Sequence, residues 1–160
     1  MSAPASPLRH HRQKAGLPPG AVVFVGDAPD APVRYTLTNF DADSIEEEKT
    51  QDVERALAYR EAPQTTWIHV SGVHDPASIR DMGEVFGIHP LTQEDIVNTQ
   101  QRPKVEVFDD EIYIIAKMLR IEDDEVAAEQ VSLVVGPNYL LSFQESQQDP
   151  FGPVRDRLHK

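Results

Sequence analysis

Residues 104–143 read KVEVFDDEIYIIAKMLRIEDDEVAAEQVSLVVGPNYLLSF. In this stretch strands follow one another with only turns between them. Lys104 to Phe108 alternates, with Val105 and Val107 on one face, and Asp109-Asp110-Glu111 turns the chain back. Glu111 to Ile121 is a long apolar strand, and Glu122 to Glu125 is a second turn. Ala128 to Val135 forms the next strand. Gly136-Pro137-Asn138 then reverses the chain into Tyr139 to Phe143, completing a second hairpin.

Upstream, helices lie between strands. Ala21 to Val25 is short and β-branched, and Gly26-Asp27 stops it, so it reads as a buried strand. Residues 33–38 alternate Val33, Tyr35 and Leu37 with Arg34, Thr36 and Thr38, the pattern of a half-buried strand. Asp43 to Glu48 offers capping side chains and first-turn acids for a helix. Val53, Ala56 and Leu57 continue it until Pro63. Thr65 to Ser71 is a strand closed by Gly72. Asp75-Pro76 caps a helix over 76–86 with Ile79, Met82, Val85 and Phe86 on one stripe, and Gly87 ends it. His89-Pro90 opens a second short helix, which Arg102-Pro103 stops. Near the end, Gly152-Pro153 precedes a short helical run, Val154 to Leu158, without a stop signal. Alternating elements followed by consecutive strands predict an α/β (α+β) fold, a mixed β-sheet with helices packed on it.

The chain has 160 residues, no cysteine and a formal net charge of −12. Such a length favours one domain, burying about 70% of the unfolded chain's surface. Without cysteine there is no disulfide framework, thiolate zinc site or thiol nucleophile. No apolar run is long enough for a membrane-spanning helix, and no secretory leader is visible. Arg9, Arg12 and Lys14 are the charged residues of the first 20, which contain no acid. Residues 1–16 read as a flexible basic tail and 17–160 as the folded body. All 27 carboxylates therefore fall after residue 20. That field repels phosphate backbones and attracts cations, so nucleic acid is not an expected partner.

One string is distinctive: Ile88-His89-Pro90-Leu91-Thr92-Gln93-Glu94-Asp95-Ile96, followed by Gln101-Arg102-Pro103-Lys104-Val105-Glu106. With Leu17-Pro18-Pro19-Gly20, Trp67 to His74, Glu129 to Leu133, Phe143-Gln144-Glu145 and Asp149 to Arg157 in order, it resembles the N-terminal cytoplasmic domain of CorA magnesium and cobalt transport proteins. The resemblance spans about residues 16–160. It implies a mixed sheet sandwiched between helical layers, in subunits of a homopentameric funnel at the cytoplasmic face of the membrane. It also implies a stalk helix beginning near Lys160, then two membrane helices and a Gly-Met-Asn pore signature. Transport belongs to such a longer protein. Alone, this chain is expected to be soluble, as a monomer or weak dimer.

Glu94 and Asp95 match the acidic pair at the family's regulatory divalent-cation site between subunits, where the opposing acid stands on a neighbour's stalk helix. Mg2+ takes oxygen ligands and keeps several waters, so one or two carboxylates make a weak site suited to a sensor. The resemblance thus implies Mg2+, with Co2+ as a further candidate, bound poorly by half a site. Read from the residues alone, both acids fall in the early turns of a short helix and complement its dipole. Glu46 to Glu48, Asp109 to Glu111 and Glu122 to Glu125 lack the Asp-x-Asp-x-Asp-Gly order of a calcium loop and read as solvated turns and helix starts. His69 reads as a sheet residue, His74 as a loop residue and His89 as a helix starter; no spacing marks a zinc site. Arg102 and Lys104 read as structural ion-pair partners. A zinc-transporting relative is the alternative within the superfamily. A free-standing acidic enzyme is the alternative from another class, although no Gly-x-Ser-x-Gly elbow or phosphate-binding loop is present.

Overall fold

A computed structural model describes Gly16 and residues 18–24, 31–122 and 124–159. The proposed tail, Leu17 and Val25 lie outside these residues, Gly16 excepted. Seven strands form one sheet: β1 Arg34–Phe40, β2 Ile45–Thr50, β3 Thr65–Ser71, β4 Lys104–Val107, β5 Ile112–Glu122, β6 Glu125–Val135 and β7 Tyr139–Gln144. Their order is β2-β1-β3-β7-β6-β5-β4. Among these seven described strands only β3 and β7 pair in parallel; the other neighbours are antiparallel. The helices among the described residues are α1 Val53–Leu57, α2 Pro76–Phe86, α3 Pro90–Val97 and α4 Gly152–Leu158, with a 3-10 turn at Ala58–Glu61. The expected mixed α+β sheet is therefore present.

Register separates the two faces. Leu37, Ile68, Leu141, Val134 and Tyr113 stand opposite one another across five strands, and all are buried. Ile79, Met82 and Phe86 of α2 and Ile96 of α3 join them in one core. One position along, the opposite face runs Thr38, Trp67, Leu140, Val135, Ile112, Val107. Trp67 is 4% exposed, Ile112 41% and Val107 74%. Helix α4 covers the Trp67 end through Phe151 and Arg155. The β4–β5–β6 end of this face carries no helix among the described residues. Among the described residues the second helical layer is thus narrower than the first.

Local signals and structure agree where a cap or proline sets the backbone. Asp75 accepts a hydrogen bond from Ala77 N at 3.1 Å, Pro76 begins α2, and Gly87 ends it with φ 79°. His89 starts α3, its Nδ1 accepting from Leu91 N at 3.2 Å. The β5–β6 hairpin reverses at Asp124, in the left-handed region at φ 64°.

Several expectations fail. Residues 21–24 form no strand: Val22 is buried against the core, but its carbonyl accepts from Arg80 rather than from a neighbouring strand. Glu46 to Glu48 do not begin a helix but lie in β2. Asp41 Oδ1 accepts from the backbone N–H groups of Asp43 and Ser44 at 2.9 and 2.8 Å. This tight reversal sends the acids back along β1 as a rim strand. The helix starts later, capped by Asp52. Finally, β1 is buried on both faces rather than half-buried, because helices lie above and below it: Thr38 is 1% exposed. Val85, expected on the buried stripe of α2, is exposed, as are Val105 and Val107.

Gly136 sits where a β-carbon would overlap the Tyr139 ring. That ring is buried, and its hydroxyl donates to Phe86 O at 3.2 Å and contacts Glu111. The ring therefore has nowhere to move. Gly136→Ala is expected to cost about 2 kcal/mol through overpacking, read as a shift of the urea midpoint; an unchanged midpoint would contradict this packing.

Candidate divalent-cation site

Helix α3 brings Glu94 and Asp95 to a cleft of about 560 Å³, lined also by His89, Thr92, Lys104, Glu106 and Phe108. Both acids lie in the second half of α3, and the first turn holds none. This corrects the expectation of a helix-start role. The C-terminal end of a helix carries partial negative charge, so acids there are opposed by the dipole. Something else must compensate them.

For Glu94, Oε2 accepts from Gly20 N at 2.8 Å, tying the segment before β1 to α3. For Asp95, both oxygens are used. Oδ1 accepts from Gln101 Nε2 at 2.7 Å and Oδ2 from Lys104 Nζ at 2.7 Å. The Asp95 side chain is 18% exposed. Its backbone carbonyl accepts from Gln130 Nε2 at 3.0 Å, which fastens the end of α3 to β6. Lys104 also donates to Glu106 Oε1 at 2.9 Å. Burial opposes the Lys104 charge, but hydrogen bonds to Asp95 and Glu106 hold its pKa above the ordinary lysine value. Lys104 is thus the ion-pair partner expected of it. Arg102 forms no ion pair among the described residues.

Glu106 was not singled out from sequence. The signal was available: Lys104 and Glu106 are two apart on one strand and share a face. Among the described residues no three His, Asp or Glu side chains cluster as a ready metal cage. Three carboxylates and one ammonium line an open cleft, a set of hard oxygen donors and not a closed cage.

A second polar cluster lies under α4. Ser142 Oγ is 2.9 Å from His69 Nδ1, and Asp149 Oδ1 is 3.9 Å from His69 Nε2. This superficially matches a serine–histidine–carboxylate row. Yet Ser142 and His69 are 0% and 1% exposed, and Phe151 packs on the imidazole. No substrate reaches them. Trp67 Nε1 donates to Ser142 Oγ at 2.9 Å, and Arg155 pairs with Asp149 and lies over the indole. The cluster anchors α4.

Residues 63–160 match the sequence profile of the family described as CorA-like Mg2+ transporter protein. The chain is 42% identical, over 147 residues and 91% of its length, to the cobalt/magnesium transport protein CorA of Thermotoga maritima. The chain belongs to the CorA family. It spans 42% of that relative's length. The soluble domain of CorA from Methanocaldococcus jannaschii has the same fold, with a TM-score of 0.54 at 18% identity over 84% of this chain and 48% of that one. The ZntB cytoplasmic domain from Vibrio parahaemolyticus is also similar, with a TM-score of 0.58 at 16% identity over 81% and 50%. These two likenesses show the fold shared across CorA and ZntB relatives. The family's relatives are ion transporters, not enzymes, which removes the enzyme alternative. No helix among the described residues is long and apolar enough to cross a membrane.

Proposed function

We propose that this CorA-family chain is the divalent-cation-sensing cytoplasmic domain of a magnesium/cobalt transporter, and that Glu94 and Asp95 contribute half of a regulatory site. The other half is an acid on a neighbouring subunit's stalk helix, in the part of the longer protein that follows Lys160. The observation that carries this reading is the position of the pair. Two acids stand at the end of α3 where the helix dipole opposes them, at the mouth of a cleft lined by a third carboxylate. Glu94 holds Gly20 through one oxygen and Asp95 uses both of its oxygens, so either acid has to share or release a partner to take an ion.

In a ring of subunits, facing acids repel until a cation screens them. A bound ion holds the ring closed, and its loss loosens the contact. Mg2+ biases that equilibrium by its different affinity for the two arrangements. Weak binding suits the task, since the ion has to leave when its concentration falls. The 42% identity to a cobalt/magnesium transport protein supports Mg2+ and Co2+ over Zn2+ as the sensed ions.

A full-length parent carrying Asp95→Ala is expected to lose the protection from proteolysis that Mg2+ gives the unmodified protein. Digestion time courses with and without Mg2+ check this. Unchanged protection would remove Asp95 from the site.

A further inference from the structure

The Lys104 ammonium stands where a metal ion would stand against Asp95. It lies 2.7 Å from Asp95 Oδ2 and 2.9 Å from Glu106 Oε1, and 5.5 Å from the centre of the Tyr113 ring. Its side chain is 32% exposed, and it lines the open cleft. The ammonium can therefore leave the carboxylates for water without crossing packed protein. Pro103 and the β4–β5 pairing fix its backbone, so it cannot go far.

We propose that Lys104 is a tethered competitor for the divalent ion at Asp95. It neutralises the carboxylate while the site is empty and has to be displaced before Asp95 takes an ion directly. The inference rests on reading Asp95 as an ion ligand. A hard divalent cation and an ammonium seek the same oxygen and repel each other at that distance. A competitor on the same chain acts at high effective concentration. The apparent affinity is reduced by the fraction of carboxylates the lysine leaves open, as for any site only partly in its competent state. Lys104 thereby sets the concentration at which the sensor responds. It also spares the empty site an uncompensated charge at the wrong end of α3.

The test is Mg2+ titration of this chain by calorimetry, alongside NMR of the Lys104 Cε and Nζ signals in lysine-labelled protein. Mg2+ is expected to move the Lys104 signals toward those of a solvated lysine, with the same midpoint as the heat. Lys104→Met and Lys104→Gln are expected to bind Mg2+ about tenfold more tightly, and addition of Asp95→Asn to abolish the gain. Where the unmodified chain binds too weakly for a midpoint, acquisition of binding by the lysine variants supports the proposal and its absence overturns it. Lysine signals unmoved while Mg2+ binds at Asp95 would also overturn it. Mg2+ binding that Asp95→Asn leaves intact would instead overturn the reading of Asp95 itself. The NMR arm uses the unmodified sequence and stands even where a variant does not fold.

Discussion

Stability is expected to fall by about 3 kcal/mol as pH drops from about 6.5 to about 4, through one imidazole, that of His69. The ring is 1% exposed on the α4 side of β3, between Ser142 and Ser71. Both ring nitrogens have hydroxyl partners, so the neutral form is satisfied whichever nitrogen carries the proton. Burial, reinforced by the nearby Arg155 charge, lowers its pKa to about 4. Asp149 stands 3.9 Å away but is engaged by Arg155, so its charge does not rescue the imidazolium. The sign follows from where protons bind. The unfolded chain takes up a proton near pH 6.5 and the folded chain does not until about pH 4. The contribution is complete above the first value and is lost on acidification toward the second. Carboxylates titrate over the same range, so the informative quantity is a difference. Urea unfolding of the parent and of His69→Gln from pH 7 to pH 4 is expected to diverge by about one proton's worth of slope. Parallel curves would show that His69 titrates normally.

Arg155→Met is expected to cost about 3 kcal/mol. The Arg155 side chain is 5% exposed, pairs with Asp149, lies 3.3 Å from Glu47 Oε2, and covers the Trp67 ring with its guanidinium 5.2 Å from the ring centre. Burial lowers its pKa, but an arginine stays charged at neutral pH. Removing it strands two carboxylates, Asp149 just before α4 and Glu47 of β2, beside a buried indole. Helix α4 has seven residues and does not stand alone, so the loss is local before it is global. Hydrogen exchange in residues 145–158 should accelerate well before the core strands respond. Adding Asp149→Asn to Arg155→Met should recover part of the loss, because the stranded charge goes with its partner. A single-variant cost below 1 kcal/mol would mean that Trp67 packing alone holds α4.

These two residues show why the sequence was readable in some places and opaque in others. Asp75-Pro76 and His89-Pro90 announce helix starts because the cap and the fixed proline torsion act within a few residues. The hairpins of β4 to β7 were legible for the same reason. Glu46 to Glu48 misled because acids suit a helix start and a solvated rim strand equally well; the choice was made by pairing with β1. Arg155 was opaque because, Asp149 apart, its partners come from β2 and β3, about a hundred residues away in sequence. The acidic pair was singled out by resemblance, and its local reading was wrong: Glu94 and Asp95 lie in the second half of α3 rather than its start. That error came from placing a boundary by a few residues, which reversed the sign of the dipole argument.

The two outer strands of the sheet have a consequence for growth beyond one molecule. At one border Glu46 and Glu48 alternate along β2; at the other, β4 offers four residues with Pro103 just before it. Two copies meeting border to border through β2 would bring two glutamate-rich strands together, whereas the other border continues past β4 along β5, which β4 covers only over Ile112 to Ile115. Extension of the sheet through the β2 border is therefore disfavoured by charge, and the β4–β5 border is the side on which a further strand finds open backbone.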